Sequence, residues 1–185
     1  MSIVPVEENS VVGFLHRPAR ADGRGLVLTH GAGGNCRAPL LAACADSFAA
    51  AGVTVLRCDL AFRLKRASGP PHPAGAAADR AGLRAAVAWL HGLVAGPIWL
   101  GGHSYGGRQA AMLAAETPDI AAGLLLLSYP LHPPAKPEQL RTAHFPALRT
   151  PAVFVSGDKD PFGTLAELQA AIAAIPAPTR LIAIA

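Results

Sequence analysis

Apolar runs of strand length alternate along this chain with longer segments rich in alanine and leucine. This alternation is typical of an α/β domain with a mainly parallel sheet and helices on both faces. Several of the runs are apolar at every position, as strands covered on two faces are. We therefore predict a single α/β domain over residues 1–185, which is within the usual size of one domain.

The predicted strands are Val11 to His16, Gly25 to Thr29, Val53 to Cys58, Pro97 to Leu100, Gly123 to Ser128, Ala152 to Ser156 and Arg180 to Ile184. The predicted helices are Ala38 to Ala51, Ala76 to Leu93, Gly107 to Glu116 and Leu165 to Ile175. The proline-rich segment Leu131 to Thr150 is too short for a full cap domain. A short helix is predicted within it, at Pro137 to Thr142.

Composition favours a compact protein over a disordered or membrane-spanning one. Hydrophobic residues make up 51% of the chain and charged residues only 15%, the reverse of the balance in disordered proteins. The longest apolar stretch, Ile120 to Leu127, is far below the ~20 residues that cross a bilayer. Glu7 and Glu8 lie where a secretory signal would be basic and then apolar. We therefore expect a cytoplasmic protein with no membrane partner.

The net charge of +4 raises the question of an acidic partner. Arg63, Lys65 and Arg66 form a basic cluster, but aromatic residues make up only 5% of the chain and no basic stretch is interleaved with aromatic residues as in single-strand binders. The pattern favours a solvated loop over nucleic-acid binding. Three cysteines without metal-type spacing predict neither disulfides nor a zinc site. We expect no metal and no cofactor, and no oligomeric state is predicted.

The segment Gly102-His103-Ser104-Tyr105-Gly106 joins a predicted strand to a predicted helix. The G-x-S-x-G spacing at such a junction predicts a nucleophile elbow, in which glycines are needed because flanking side chains would collide with neighbouring backbone. Ser104 would then be a nucleophile at a helix N-terminus, where free N–H groups favour negative charge. The alternative is a glycine-rich turn with a serine that caps the helix.

A glycine-rich loop, His30 to Asn35, follows an earlier predicted strand. An acyl-transfer site needs two backbone N–H donors for the oxyanion, one after the nucleophile and one from an early loop. Tyr105 and Ala32 are the natural pair, with Gly33 as a substitute or third donor. A flexible connection is one alternative. A dinucleotide site with Asp59 on a ribose is another, but the loop lacks the third glycine of G-x-G-x-x-G.

A serine nucleophile in this architecture is followed along the chain by an acid and then by a histidine. Asp160 is the preferred acid, because it lies in a loop after a predicted strand, whereas Asp158 could instead cap the turn. No histidine follows Asp160. His132 and His144 lie in the proline-rich segment, which could fold over the site, and they remain alternatives for the base. Gly33 and His132 are predicted to contact the substrate.

Four segments together resemble the α/β-hydrolase fold over nearly the whole chain: "LTHGAGGN", "GGHSYGGR", "SYPLHPP" with "KPEQLR", and "GDKDPFGT". More narrowly, they resemble small capless hydrolases related to dienelactone-hydrolase-like enzymes and to hydrolase-like subunits of animal chromatin complexes. The resemblance implies that Ser104 is the nucleophile, Asp160 the acid, and Ala32 and Tyr105 the oxyanion positions. It also implies that "PLHPP" and "KPEQLR" form a short loop over the site.

Members of such families usually carry a G-x-H or D-H element soon after the last strand, and this sequence ends at Ala185 before one appears. We expect a truncated form of a longer protein, and the alternative is a chain that has lost the base. The predicted function is a serine hydrolase that acts on the ester or thioester of a small-molecule acyl substrate. Because no histidine follows Asp160, we expect this 185-residue form to bind such substrates without useful turnover. The alternative function is a noncatalytic binding or scaffold module on the same fold.

Overall fold

The structure, a computed structural model, describes all 185 residues and contains one eight-stranded sheet. The strands are β1 (Ser2–Glu8), β2 (Val11–Arg17), β3 (Gly25–Thr29), β4 (Thr54–Cys58), β5 (Ile98–His103), β6 (Gly123–Leu127), β7 (Ala152–Gly157) and β8 (Thr179–Ile184). Their order across the sheet is β1-β2-β4-β3-β5-β6-β7-β8. The pairs β1–β2 and β2–β4 are antiparallel, and all other neighbours are parallel.

Five α-helices cover the two faces of this sheet: α1 (Pro39–Ala50), α2 (Ala61–Lys65), α3 (Ala76–His91), α4 (Tyr105–Glu116) and α5 (Leu165–Ile172). The larger core, of 29 buried residues, lies on the face under α3, α4 and α5. The opposite face is covered by α1, with a second core of eight buried residues. The predicted fold class, a mainly parallel sheet with helices on both faces and no full cap, is confirmed. None of the helices has the length and apolar character needed to cross a bilayer.

Three elements differ from the sequence-based expectation. Strand β1 was not predicted, because it is an edge strand with only Val6 buried and therefore has little apolar alternation. Helix α2 was also not predicted, because five residues are too few to show a helical period. The helix predicted at Pro137 to Thr142 is wrong. That segment forms turns, and the Arg141 N–H donates to Leu131 O at 2.8 Å, which folds the chain back on itself.

The order of the strands positions the loops that carry the predicted site residues. Strands β3, β5, β6 and β7 are adjacent and parallel, so the loops that follow them open at one edge of the sheet. The loop after β3 contains the glycine run, the turn after β5 contains Ser104, and the loop after β7 contains Asp160. The connection from β6 to β7 passes beside them and contains a single 3₁₀ turn, at Phe145–Ala147.

Candidate active site

Ser104 lies between the last residue of β5 and the first residue of α4, in a left-handed backbone conformation with φ 49° and ψ −115°. Such a conformation is costly for a residue with a side chain. The flanking glycines are needed because the backbone is crowded here. A Cβ on Gly102 would lie 2.6 Å from Thr29 O, and one on Gly106 would lie 2.4 Å from His30 O. This is the backbone geometry that a nucleophile elbow requires.

The loop after β3 has an amide donor that no protein group uses. The carbonyl of Gly31 accepts hydrogen bonds from the Gly34 N–H at 3.1 Å and from His30 Nδ1 at 2.8 Å. The N–H of the same peptide belongs to Ala32 and points the opposite way, as in any trans peptide. It donates to no acceptor in the protein. Ala32 lines two cavities together with Ser104.

Arg63 holds this loop from α2. Its Nε donates to Gly34 O at 2.8 Å and its Nη2 to Ala32 O at 3.0 Å, while further donors reach the carbonyls of Arg66 and Gly69. The Arg63 side chain is therefore buried, with 7% of the residue exposed. The interpretation of the basic cluster as a solvated loop is wrong for Arg63. The guanidinium satisfies backbone carbonyls that a bent glycine loop would otherwise leave without donors.

His30 and Asp59 hold the two ends of the same loop. The Leu60 N–H donates to His30 Nε2 at 3.1 Å. Burial lowers the pKa of His30, so this imidazole is neutral and Nδ1 carries its proton. The carboxylate of Asp59 accepts from the Cys36 N–H at 2.6 Å. Asp59, which the dinucleotide interpretation would place on a ribose, thus has a partner inside the protein.

A buried carboxylate, Asp79, anchors the side chain of Tyr105, the residue after Ser104. The Tyr105 hydroxyl donates to Asp79 Oδ2 at 2.7 Å, and the Phe62 N–H donates to Asp79 Oδ1 at 2.9 Å. Burial and this hydrogen bond raise the pKa of Tyr105. Tyr105 is the first residue of α4, so its own N–H has no acceptor within the helix. Sequence reasoning missed Asp79, because nothing local marks its contact with a residue 26 positions away.

The loop after β7 presents Asp160 beside Ser104. Asp160 is half-buried, and its Oδ1 accepts from the Phe162 N–H at 2.9 Å, whereas Asp158 is exposed. Asp160 and Ser104 line one cavity together with His103. Burial lowers the pKa of His103, and the charge of Asp160 opposes that effect. The imidazole of His103 is therefore close enough to Asp160 to sense its charge.

None of the seven histidines forms a hydrogen bond with the Ser104 hydroxyl. His132 is buried, and its Nε2 faces Glu167 at 3.6 Å rather than the serine. His144 lies 3.3 Å from the Tyr129 hydroxyl, and burial together with the charge of Arg108 lowers the pKa of His144 to about 4. The structure thus assigns no histidine as the base.

Three cavities, of about 560, 410 and 430 Å³, adjoin Ser104. Four other predicted site residues line at least one of them: Ala32, Gly33, Tyr105 and Asp160. His132 lines none of these cavities, because its ring is directed toward α5. Two arginines that sequence reasoning did not single out, Arg108 and Arg141, line the largest of the three. Their signal was present, since Arg108 ends the segment "GGHSYGGR" and Arg141 ends "KPEQLR".

The sheet order and the turn around Ser104 define the class of protein, and comparison with known families agrees. A family model described as an alpha/beta hydrolase domain matches residues 22–184. The chain belongs to this family.

Solved structures with the same fold include three bacterial proteins. Dienelactone hydrolase from Anabaena variabilis has a TM-score of 0.74 at 21% identity, over 99% of this chain and 84% of that one. An alpha-beta serine hydrolase homologue from Coxiella burnetii has a TM-score of 0.76 at 17% identity, over 99% and 86%. Est1E from Butyrivibrio proteoclasticus has a TM-score of 0.74 at 18% identity, over 100% and 88%. At these identities the likeness shows the fold.

Proposed function

We propose that this protein is a serine hydrolase that cleaves esters or thioesters of small acyl substrates, with Ser104 as the nucleophile. The observation that carries the proposal is the strained backbone of Ser104 at the end of β5, beside a loop whose Ala32 N–H has no protein acceptor. The names of two of the neighbours, a dienelactone hydrolase and a serine hydrolase homologue, support hydrolysis as the reaction class.

In the proposed reaction, the Ser104 hydroxyl gives its proton to water or to a supplied base while Oγ forms a bond to the acyl carbon, and the carbonyl oxygen becomes an oxyanion. The Ala32 and Tyr105 N–H groups donate to that oxyanion, where fixed donors stabilise developing charge strongly. The bond to the alcohol or thiol then breaks, and the leaving group takes up a proton. Water attacks the acyl-enzyme and releases the acid. Asp160 is proposed as the acid of the site, which orients and stabilises a protonated base.

A noncatalytic binding module is the second candidate. It is favoured by the finding that no imidazole is hydrogen-bonded to the Ser104 hydroxyl. A site with donors and nucleophile but without a positioned base retains only the residual catalysis of its oxyanion hole and binding groups, on the order of 10³–10⁴-fold over water. The two candidates therefore differ in whether Ser104 reacts when a base is supplied.

Labelling with a fluorophosphonate tests the proposal directly. The protein is treated with the probe with and without added imidazole, and the modified residue is found by peptide mass spectrometry. We expect an adduct on Ser104, formed about tenfold or more faster with imidazole, because imidazole can accept the serine proton.

Ser128 provides a matched control, because it also has a positive φ, 48°, and lines a cavity with Ser104. Ser104→Ala should abolish labelling, whereas Ser128→Ala should leave it unchanged. An adduct that persists in Ser104→Ala would refute the nucleophile. A folded protein that remains unlabelled at every imidazole concentration would favour the binding module.

A further inference from the structure

The largest cavity beside Ser104 is positively charged. Two arginines, Arg108 and Arg141, line it together with His72, and no aspartate or glutamate does. Its volume of about 560 Å³ is within the range of small-molecule sites. A substrate bound to Ser104 in this cavity would therefore meet two guanidinium groups without a protein carboxylate between them.

Arg108 reaches this cavity from α4, one helical turn after Ser104. The Arg108 N–H donates to Ser104 O at 3.0 Å, which places both residues on the same side of the helix. Residues four apart on a helix have Cβ atoms about 5–6 Å from each other. An anion held by Arg108 would thus lie within the length of a short acyl chain from the serine hydroxyl.

The Arg108 side chain is not neutralised within the protein. Its Nε is buried without a hydrogen-bond partner, and it forms no ion pair. A buried donor without an acceptor is costly, so such groups are rare in proteins. Solvent does not reach this nitrogen. Arg108 is nevertheless only half-buried, so a ligand in the cavity would meet the part of the guanidinium that lines it.

Arg141 approaches the same cavity from the connection between β6 and β7. Its backbone is held on both sides, since its N–H donates to Leu131 O at 2.8 Å and its carbonyl accepts from the Tyr129 hydroxyl at 2.9 Å. It forms no ion pair either. Burial and the nearby positive charge of Arg108 lower the pKa of Arg141. The charge of Arg108 thus opposes that of Arg141, and both residues line the same cavity.

Two other arginines of this protein have structural roles, and their guanidinium groups have acceptors within the protein. Arg63 donates to four backbone carbonyls. Arg80 pairs with Glu116 and donates to Gln109 Oε1. Arg108 approaches the Tyr129 hydroxyl, but neither Arg108 nor Arg141 forms an ion pair. An external anion with two oxygens would supply the missing negative charge, because guanidinium groups match carboxylates in a two-bond geometry.

We propose that this cavity selects acyl substrates that carry a second, anionic group, a carboxylate, bound by Arg108 and Arg141 at a short distance from the ester attacked by Ser104. The proposal deepens the proposed function, on which it rests for the identity of the reacting group. Binding of the anion itself does not require that Ser104 reacts.

Calorimetric titration of the protein with two matched ligands tests this. Monomethyl glutarate carries one ester and one carboxylate, and dimethyl glutarate carries two esters and no charge. We expect monomethyl glutarate to bind at least tenfold more tightly, because charge-assisted hydrogen bonds are stronger than neutral ones. The preference should decrease as salt is added. Equal affinity for the two ligands in the unaltered protein would overturn the proposal without the use of any variant.

Variants then locate the anion. Arg108→Gln and Arg141→Gln should each reduce the affinity for monomethyl glutarate about tenfold and leave the affinity for dimethyl glutarate unchanged. Arg20→Gln removes the same charge from an exposed position and should change neither. A similar loss in Arg20→Gln would overturn the site in favour of a general charge effect. If Arg108→Gln does not fold, the affinity of Arg141→Gln for monomethyl glutarate alone tests whether the arginines bind the anion.

Ser104→Ala separates this proposal from the proposed function. It should retain the preference for monomethyl glutarate while losing fluorophosphonate labelling. Anion preference without labelling of the unaltered protein would support the arginine site and reject the nucleophile. Labelling without anion preference would support the nucleophile and reject the arginine site.

Discussion

The two loops on either side of Ser104 are held in different ways. The loop after β3 is fixed by side chains from other elements: Arg63 donates to its carbonyls, and Asp59 accepts from its last part. In the loop after β7, Asp160 accepts from the Phe162 N–H two residues away. Backbone bonds join that loop to its neighbours, from the Asp158 N–H to Ile184 O and from the His132 N–H to Phe162 O, both at 3.0 Å. The loop of the proposed oxyanion donor is thus held by side chains from distant elements, whereas the loop of the proposed acid is held by backbone bonds and one local turn.

The largest expected effect comes from Arg63. Arg63→Met leaves the carbonyls of Ala32 and Gly34 without their donors and should lower the free energy of unfolding by about 3 kcal/mol. Arg63→Lys should recover only part of this loss, because an ammonium cannot reproduce the fork of a guanidinium. Urea titration measures both. Arg66→Met, at an exposed position of the same cluster, is the control. An equal decrease in the free energy of unfolding of Arg66→Met would show that the contacts of Arg63 do not specifically stabilise the loop after β3.

Two glycines of the loop after β3 allow a finer comparison. A Cβ on Gly31 would lie 3.0 Å from His103 Nδ1 and 3.5 Å from Ser104 Cβ, whereas one on Gly34 would have no neighbour closer than 3.6 Å. Gly31→Ala should therefore slow the labelling of Ser104 about tenfold by displacing the loop from the serine. Gly34→Ala should leave the rate unchanged. Equal rates in the two variants would show that the loop tolerates displacement.

The smallest effect on stability is expected in the loop after β7. Asp160→Asn retains the side-chain oxygen that accepts from Phe162, so the free energy of unfolding should change by less than about 0.5 kcal/mol. The charge of Asp160 favours protonated His103. Its removal should lower the pKa of His103 further below 6.5, as measured by NMR titration of the ring protons. An unchanged or higher pKa would place the carboxylate too far from His103 to act.

The sign of the pH effect on folding follows from the same contact. The pKa of His103 is lowered in the folded protein, from an ordinary value of 6.5. The unfolded chain therefore takes up a proton first as the pH falls below 6.5, and the folded state loses stability. Asp160→Asn should make this loss larger. His103→Gln, which cannot bind the proton, should remove the contribution.

Much of the fold was predictable because buried parallel strands have a local signature. Strands such as β3 and β6 are buried at every position, and their apolar runs predict them without knowledge of their neighbours. Strand β1 lacks this signature because it lies at the edge of the sheet. Helix α2 lacks it because it is one short turn, although it carries Arg63.

The candidate site also contains parts with a local sequence signature and parts without one. The sequence by itself indicated the turn at Ser104, because the G-x-S-x-G spacing between a strand and a helix is a local signature. The crowding that requires the two glycines comes from Thr29 and His30 at the end of β3. It also indicated the loops that carry Ala32 and Asp160. Only the tertiary structure decided where the side chains of Arg63, Arg108 and Arg141 lie. The local sequence around a basic residue does not show whether its side chain is solvated, buried against carbonyls or directed into a cavity. Acceptors from distant segments decide between these environments.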